Sequence, residues 1–211
     1  SIGMAPFLMN VCSCIIVIFI NNSLQRHGGD LAIGAYGIIN RLSTLYVMIV
    51  IGLTMGMQPI IGYNFGAMRY DRVKKTLRLG LITATAITTS GFIISEVFPQ
   101  AIASLFTSET VLIDMAVAGL RISIAMFPVI GIQIVITNFF QSIGKAKISV
   151  FLSLSRQLLF LLPGLIIFPR YWGITGVWLS MSVSDFFASA TAIAMLLYLI
   201  HKIEKKKTLQ I

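Results

Sequence analysis

Four ionisable side chains stand inside long apolar runs: Arg41, Arg121, Arg156 and Asp185. A charge in hydrocarbon costs several kcal/mol even on lenient insertion scales, so each is a functional candidate by default. Asp185 lies about twelve residues into the last apolar run, or roughly 18 Å at the rise of a helix. Arg156 enters the preceding run from the opposite end to roughly 12 Å by the same rise. A four-residue connection over 169–172 allows the two runs to pack antiparallel and the two charges to meet. Two chemistries are open to such a pair. Asp185 can take up and release a proton or cation as the protein changes state, or the pair can be a fixed lock between helices. A guanidinium partner favours the lock, because it neutralises the carboxylate without a proton. Arg41 and Arg121 each lie about nine residues from the other face, where Glu96 and Asp114 also fall, and Asp114 and Arg121 share a helical face at a spacing of seven.

Uncharged polar residues are the other candidates. Asn10, Asn40, Gln133 and Asn138 stand in apolar runs, where they line a polar cavity or bond a neighbouring helix. Ten methionines and fourteen phenylalanines offer an adaptable, polarizable wall for aromatic cations. Pro128 and Pro163 interrupt their runs, and each frees a carbonyl and permits a bend. Pro128 is the candidate hinge. Cys12 and Cys14 lie two apart and so point in different directions, as packing residues do. The only histidines, His27 and His201, are far from them in the sequence, so no metal or redox cluster is expected.

The elements that must position these residues are read from hydropathy. With 57% hydrophobic residues, 11% charged and a mean hydropathy of +0.92, the chain is far from the roughly 25% charge of a soluble domain. An all-α integral membrane protein is expected, with spans at about 5–24, 32–57, 77–98, 111–140, 148–168 and 173–200. The high pI of about 9.9 does not point to nucleic acid, since the basic residues sit between apolar runs rather than on a soluble stripe. They divide unevenly between the two faces. Arg69, Arg72, Lys74, Lys75, Arg78, Lys145, Lys147, Lys202, Lys205, Lys206 and Lys207 fall on one side, and only Arg26 and Arg170 on the other. Eleven against two makes the first side cytoplasmic, with both ends of the chain on it.

Between the second and third spans the chain reads Gln58-Pro59-Ile60-Ile61-Gly62-Tyr63-Asn64-Phe65-Gly66-Ala67, just before the first basic cluster. Pro59, Gly62 and Gly66 are expected to end the helix in a cytoplasmic turn, with Asn64 satisfying freed backbone groups, in a structural or gating role. The basic residues behind it face anionic head groups.

This decapeptide, preceded by Ala35-Tyr36-Gly37-Ile38-Ile39-Asn40-Arg41, resembles the multidrug and toxic compound extrusion (MATE) family of transporters. Further along, Phe140-Gln141-Ser142-Ile143-Gly144-Lys145 looks like the family's turn after its tenth helix. Ser155-Arg156-Gln157 with Pro163 is similar to its eleventh helix, and Gly176-Val177-Trp178-Leu179-Ser180 with Ser184-Asp185 to its twelfth. The matches fall in one register over nearly all 211 residues.

The resemblance implies the C-terminal six-helix lobe of a twelve-helix, pseudo-twofold antiporter in the plasma (inner) membrane. Such a protein is no enzyme and needs no cofactor. It exports small cationic or aromatic substrates, drugs among them, against proton or sodium influx by alternating access. The N-terminal lobe and membrane lipids would be its partners. In several branches of the family, acids on the seventh and tenth helices bind the coupling cation. The matching spans here, 5–24 and 111–140, carry no acid near the midplane. That places the coupling site in the N-terminal lobe. Two alternatives stay open: export of a lipid-linked or organic-acid substrate on the same fold, and a half-size transporter acting as a homodimer. Because the chain opens on Ser1 and not Met, a fragment is expected.

Overall fold

The computed structural model describes the backbone of residues 4–208 and the side chains of residues 11–201, and among these the regular structure is helical throughout. The chain runs α1 (Met4–Gly66), α2 (Tyr70–Val97), α3 (Pro99–Ser104), α4 (Thr110–Ser123), α5 (Phe127–Ser142), α6 (Ala146–Leu154), a π-helix (Ser155–Leu161) and α7 (Leu162–Thr208).

The two longest helices each double back. Arg156 and Asp185 are 29 residues apart, which is roughly 43 Å along a straight helix, yet the Arg156 Nε atom lies 2.7 Å from Asp185 Oδ1. The reversal falls at Gly173, at φ 53° and ψ −130°, where a side chain would be strained. Gly29, at φ 65° and ψ −158°, does the same for α1, bringing Ile16 and Ile39 into one core. A side chain at Gly28 would collide with Ile174, so the two reversals touch at one end of the bundle. Two hairpins, α2 and the α4–α5 pair together make a six-helix lobe. Among the described residues, α1 and α7 with the segment before it are apolar enough to cross a membrane, as are α2 and the α4–α5 pair, which is bent by 56°.

Packing divides along the helix axes. One cluster, with Met57, Leu77, Val135, Phe140 and Leu196, lies toward the basic end. A second, with Leu24, Leu120, Phe127, Leu165 and Trp178, lies toward the glycine reversals. Ile18, Met48, Met55 and Leu159 are exposed on the outside of the lobe, as suits side chains that meet lipid or another lobe.

Several local expectations are corrected. The connections expected over 25–31 and 169–172 are single-glycine reversals inside otherwise helical chain, because one residue with positive φ suffices when both limbs pack at once. Pro59 does not end its helix: α1 continues to Gly66, since one missing N–H is tolerated where neighbours support the backbone. The helix ends on a residue not foreseen. Met68 takes the left-handed conformation at φ 56°, the Arg69 N–H donates to the Asn64 carbonyl at 2.8 Å and the Met68 N–H to Phe65 at 3.1 Å. That is a Schellman turn. The same pattern closes α5, with Gly144 at φ 76°, the Lys145 N–H on the Phe140 carbonyl and the Gly144 N–H on Gln141.

Gly62 therefore serves by its size and not its backbone angle. A Cβ there would sit 3.3 Å from the Ser142 carbonyl oxygen, so the two turns press together. Gly66 is exposed at the end of the helix, Pro59 is exposed and Gln58 is half-buried. Asn64 is buried and gives its amide to the Ile60 carbonyl, while its Oδ1 has no partner.

Candidate functional site

A cavity of about 290 Å³ opens between the two limbs of α1, the α4–α5 break, the π-helix and the second limb of α7. Its walls are mostly aliphatic and aromatic, including Ile16, Ile20, Ile39 and Phe127. Arg156 and Asp185 supply its charge, and the two cancel. Both Nε and Nη2 of Arg156 lie 2.7 Å from the same oxygen, Asp185 Oδ1. The Asp185 side chain is 5% exposed and the Arg156 side chain 35%, so the guanidinium is the member open to the cavity.

The backbone that carries Arg156 is unusual. Residues Ser155–Leu161 form a π-helix, and the Leu162 N–H reaches back five residues to the Gln157 carbonyl. Pro163 follows at once. It offers no N–H to the carbonyl four residues earlier and its ring crowds that turn, so the turns before it widen. Single π turns of this kind gather at functional sites. The widened turn carries both Arg156 and Gln157 to the cavity wall, where the Gln157 amide donates to Ser13 Oγ at 3.0 Å. Gln157 Oε1 and Ser123 Oγ are buried there without a hydrogen-bond partner.

The α4–α5 break forms another wall. Two hydroxyls hold the carbonyls around it, Ser182 donating to Ile122 and Ser189 to Val129 at 3.1 Å, while Thr88, which donates to the Ala84 carbonyl of α2 at 3.0 Å, packs 3.4 Å from the Pro128 carbonyl. The 56° bend lies at 124–126, directly before Pro128, and is braced from α2 and α7.

The candidate residues do not all gather here. Asn40 lines the cavity with Arg156 and Asp185. Gln133 is buried elsewhere in α5 with Oε1 unpartnered, and Asn138 donates to the Ile134 carbonyl of its own helix at 3.0 Å. The side chain of Asn10 lies outside the described residues. Arg121 is 58% exposed and meets Glu96 in the last turn of α2 at 3.9 Å. It is not paired with Asp114, since seven residues along a helix span roughly 10 Å and a short aspartate cannot cover that. Arg41 is exposed and stands over the Phe106 ring at 5.9 Å. Ser13, Ser43, Ser123 and Gln157 line the cavity and were missed. Gln157, next to Arg156, was legible as a neighbour, but a lone serine in an apolar run carries no signal.

Residues 2–166 match the model of the MatE family. The multidrug export protein MepA of Staphylococcus aureus (strain N315) is 27% identical over 199 residues, covering 94% of this chain and 43% of that protein. A crystal structure of MATE in complex with MaL6 superposes with a TM-score of 0.89 at 19% identity, over 96% of this chain and 46% of that one. The MATE multidrug transporter DinF-BH, solved in complex with a ligand, gives a TM-score of 0.81 at 34% identity, over 93% of this chain and 44% of that one. The chain thus spans under half the length of these relatives.

Proposed function

The chain belongs to the MatE family, and from that premise we propose that it is the C-terminal lobe of a membrane exporter of organic cations or drugs. The observation that carries the reading is the cavity between the helices. A mostly apolar chamber holding a neutralised charge pair and a few polar side chains lies in a bundle whose outer surface is apolar. Such a chamber suits a ligand with an apolar body and few polar groups. The role in multidrug export that these relatives are named for supports the substrate class.

In this reading a second six-helix lobe completes the transporter, and the two exchange access to the cavity between them. Gly52 and Gly56, exposed on the second limb of α1 with open space where a Cβ would be, allow a helix of that lobe to come close. The basic turns after α1 and α5 face the cytoplasm, with both ends of the chain on that side of the plasma membrane. The Arg156–Asp185 pair is a lock between two limbs of one hairpin, and the proton or sodium ion that drives export is held in the other lobe. Pro128 marks where the bent α4–α5 pair would flex.

The test is efflux of a cationic dye from proteoliposomes holding the full-length protein, under an imposed inward proton or sodium gradient. Gradient-dependent efflux supports the reading. No movement of any cationic dye, with transport of an organic acid instead, would replace it by the second reading, which the open guanidinium of Arg156 favours.

A further inference from the structure

Arg26 and Arg170 are the two basic residues left on the sparsely charged side, and 144 positions separate them in the chain. The fold brings both to one pocket of about 360 Å³, where the first limbs of α1 and α7 meet just short of their glycine reversals. Asn22, Ser23 and His27 complete its polar wall, and no acid lines it. The His27 Nδ1–H donates to the Ser23 carbonyl at 2.8 Å, which fixes the ring against the helix. Among the described residues, neither arginine forms an ion pair. Phe19 and Ile166, both 42% exposed, make the remaining wall apolar.

The depth of the pocket is marked by its neighbours. Tyr171 and Trp172 follow Arg170 directly and are 77% and 57% exposed, with ring centroids 6.1 Å apart. Exposed Tyr and Trp side chains collect at the boundary of hydrocarbon and water. Two unpaired guanidinium groups at that level, above an apolar wall, match a ligand with phosphate at one end and hydrocarbon at the other. Guanidinium suits phosphate because its planar donors pair with two oxygens at once. A free anion would satisfy the arginines but leave Phe19 and Ile166 uncovered.

We propose that this pocket binds an anionic phospholipid, its phosphate between Arg26 and Arg170 and an acyl chain along Phe19 and Ile166. The lipid belongs to the outer leaflet, an assignment that rests on the orientation proposed above. Binding itself is independent of which ion drives transport, so a failed dye assay leaves it standing.

The full-length protein, reconstituted with phosphatidylglycerol and phosphatidylcholine, is released into detergent and its retained lipid read by native mass spectrometry. Retention of phosphatidylglycerol over phosphatidylcholine is expected. It falls roughly 30-fold in the Arg26→Gln/Arg170→Gln double variant, from the attraction of two basic side chains near a membrane surface. The Arg26→Lys/Arg170→Lys variant keeps the charge without the paired planar donors, so its preference is expected between those of the wild type and the Gln double variant. Equal retention by the wild type and the Gln double variant overturns the proposal. Displacement of the lipid by inorganic phosphate or glycerol phosphate overturns it too, in favour of a soluble anion. A measurement that needs no variant uses wild-type protein with brominated lipids. Tryptophan emission is quenched more by brominated phosphatidylglycerol than by brominated phosphatidylcholine if the pocket is selective, and equally if it is not.

Discussion

Arg156 holds Asp185 at 2.7 Å in a cavity where the carboxylate side chain is 5% exposed. Arg121 meets Glu96 at 3.9 Å with the two side chains 58% and 36% exposed. The chemistry of the two pairs is the same, and burial separates them. The first joins two limbs of one hairpin across a chamber and seals the carboxylate in, so Asp185 cannot turn to solvent if its arginine is lost. The second joins α4 to the last turn of α2, where either group can be rehydrated. An arginine in an apolar run is thus no guide to its own importance. What matters is whether the fold closes over its partner.

The comparison is easiest to break at its strong end. Arg156→Met in the full-length protein strands a buried carboxylate and is expected to cost about 3–5 kcal/mol, read as a lowered unfolding midpoint in detergent. The Arg156→Met/Asp185→Leu double variant recovers most of that loss. A single variant that unfolds like the wild type would mean that Asp185 does not depend on Arg156.

Transport divides structure from coupling. Asp185→Asn is expected to reduce dye efflux only as far as it reduces folded protein, whereas Glu96→Gln leaves both near the wild-type level. Efflux lost from a normally folded Asp185→Asn protein would make this carboxylate part of the coupling machinery.

A neutral contact sets the middle of the scale. Ser189→Ala removes the hydroxyl on the Val129 carbonyl beside the α4–α5 break and should cost about 1 kcal/mol in the same unfolding assay. At the weak end, Arg121→Gln is expected to cost no more than about 1 kcal/mol. That small effect should shrink further in high salt, because exposed charges are screened. A loss as large as that of Arg156→Met would erase the distinction between the pairs.

Much of the fold was legible because long apolar runs leave few alternatives, and the uneven division of basic residues is a property of the chain alone. Arg156 and Asp185 stood out for the same reason: a charge in such a run needs an explanation. The local geometry was less accessible. Gly29 and Gly173 look like any of the seventeen glycines until two limbs pack and one residue must take positive φ. Met68 takes the left-handed position that closes α1, beyond Pro59, Gly62 and Gly66, which were expected to end it, because where α1 stops depends on its packing against the end of α5. Ser13 and Ser123 belong to the cavity through tertiary placement, which spacing within one helix does not encode. Asp114 was paired with Arg121 by helical periodicity, but Glu96 reaches Arg121 from another helix.

The π-helix before Pro163 also sets a phase. Five-residue bonding holds more residues in each turn than the α-helix on either side, and each residue of an α-helix advances the chain by about 100°. The limb beyond Leu161 is therefore indexed out of step with the one below it. Its upper part meets the return limb at Gly164, where a Cβ would lie 3.2 Å from Ser180 Cβ, and its lower part meets it where Arg156 reaches Asp185. Deleting a single residue between these contacts would leave every side chain type in place and still set one of the two out of register. The two limbs work as a key cut for one rotation.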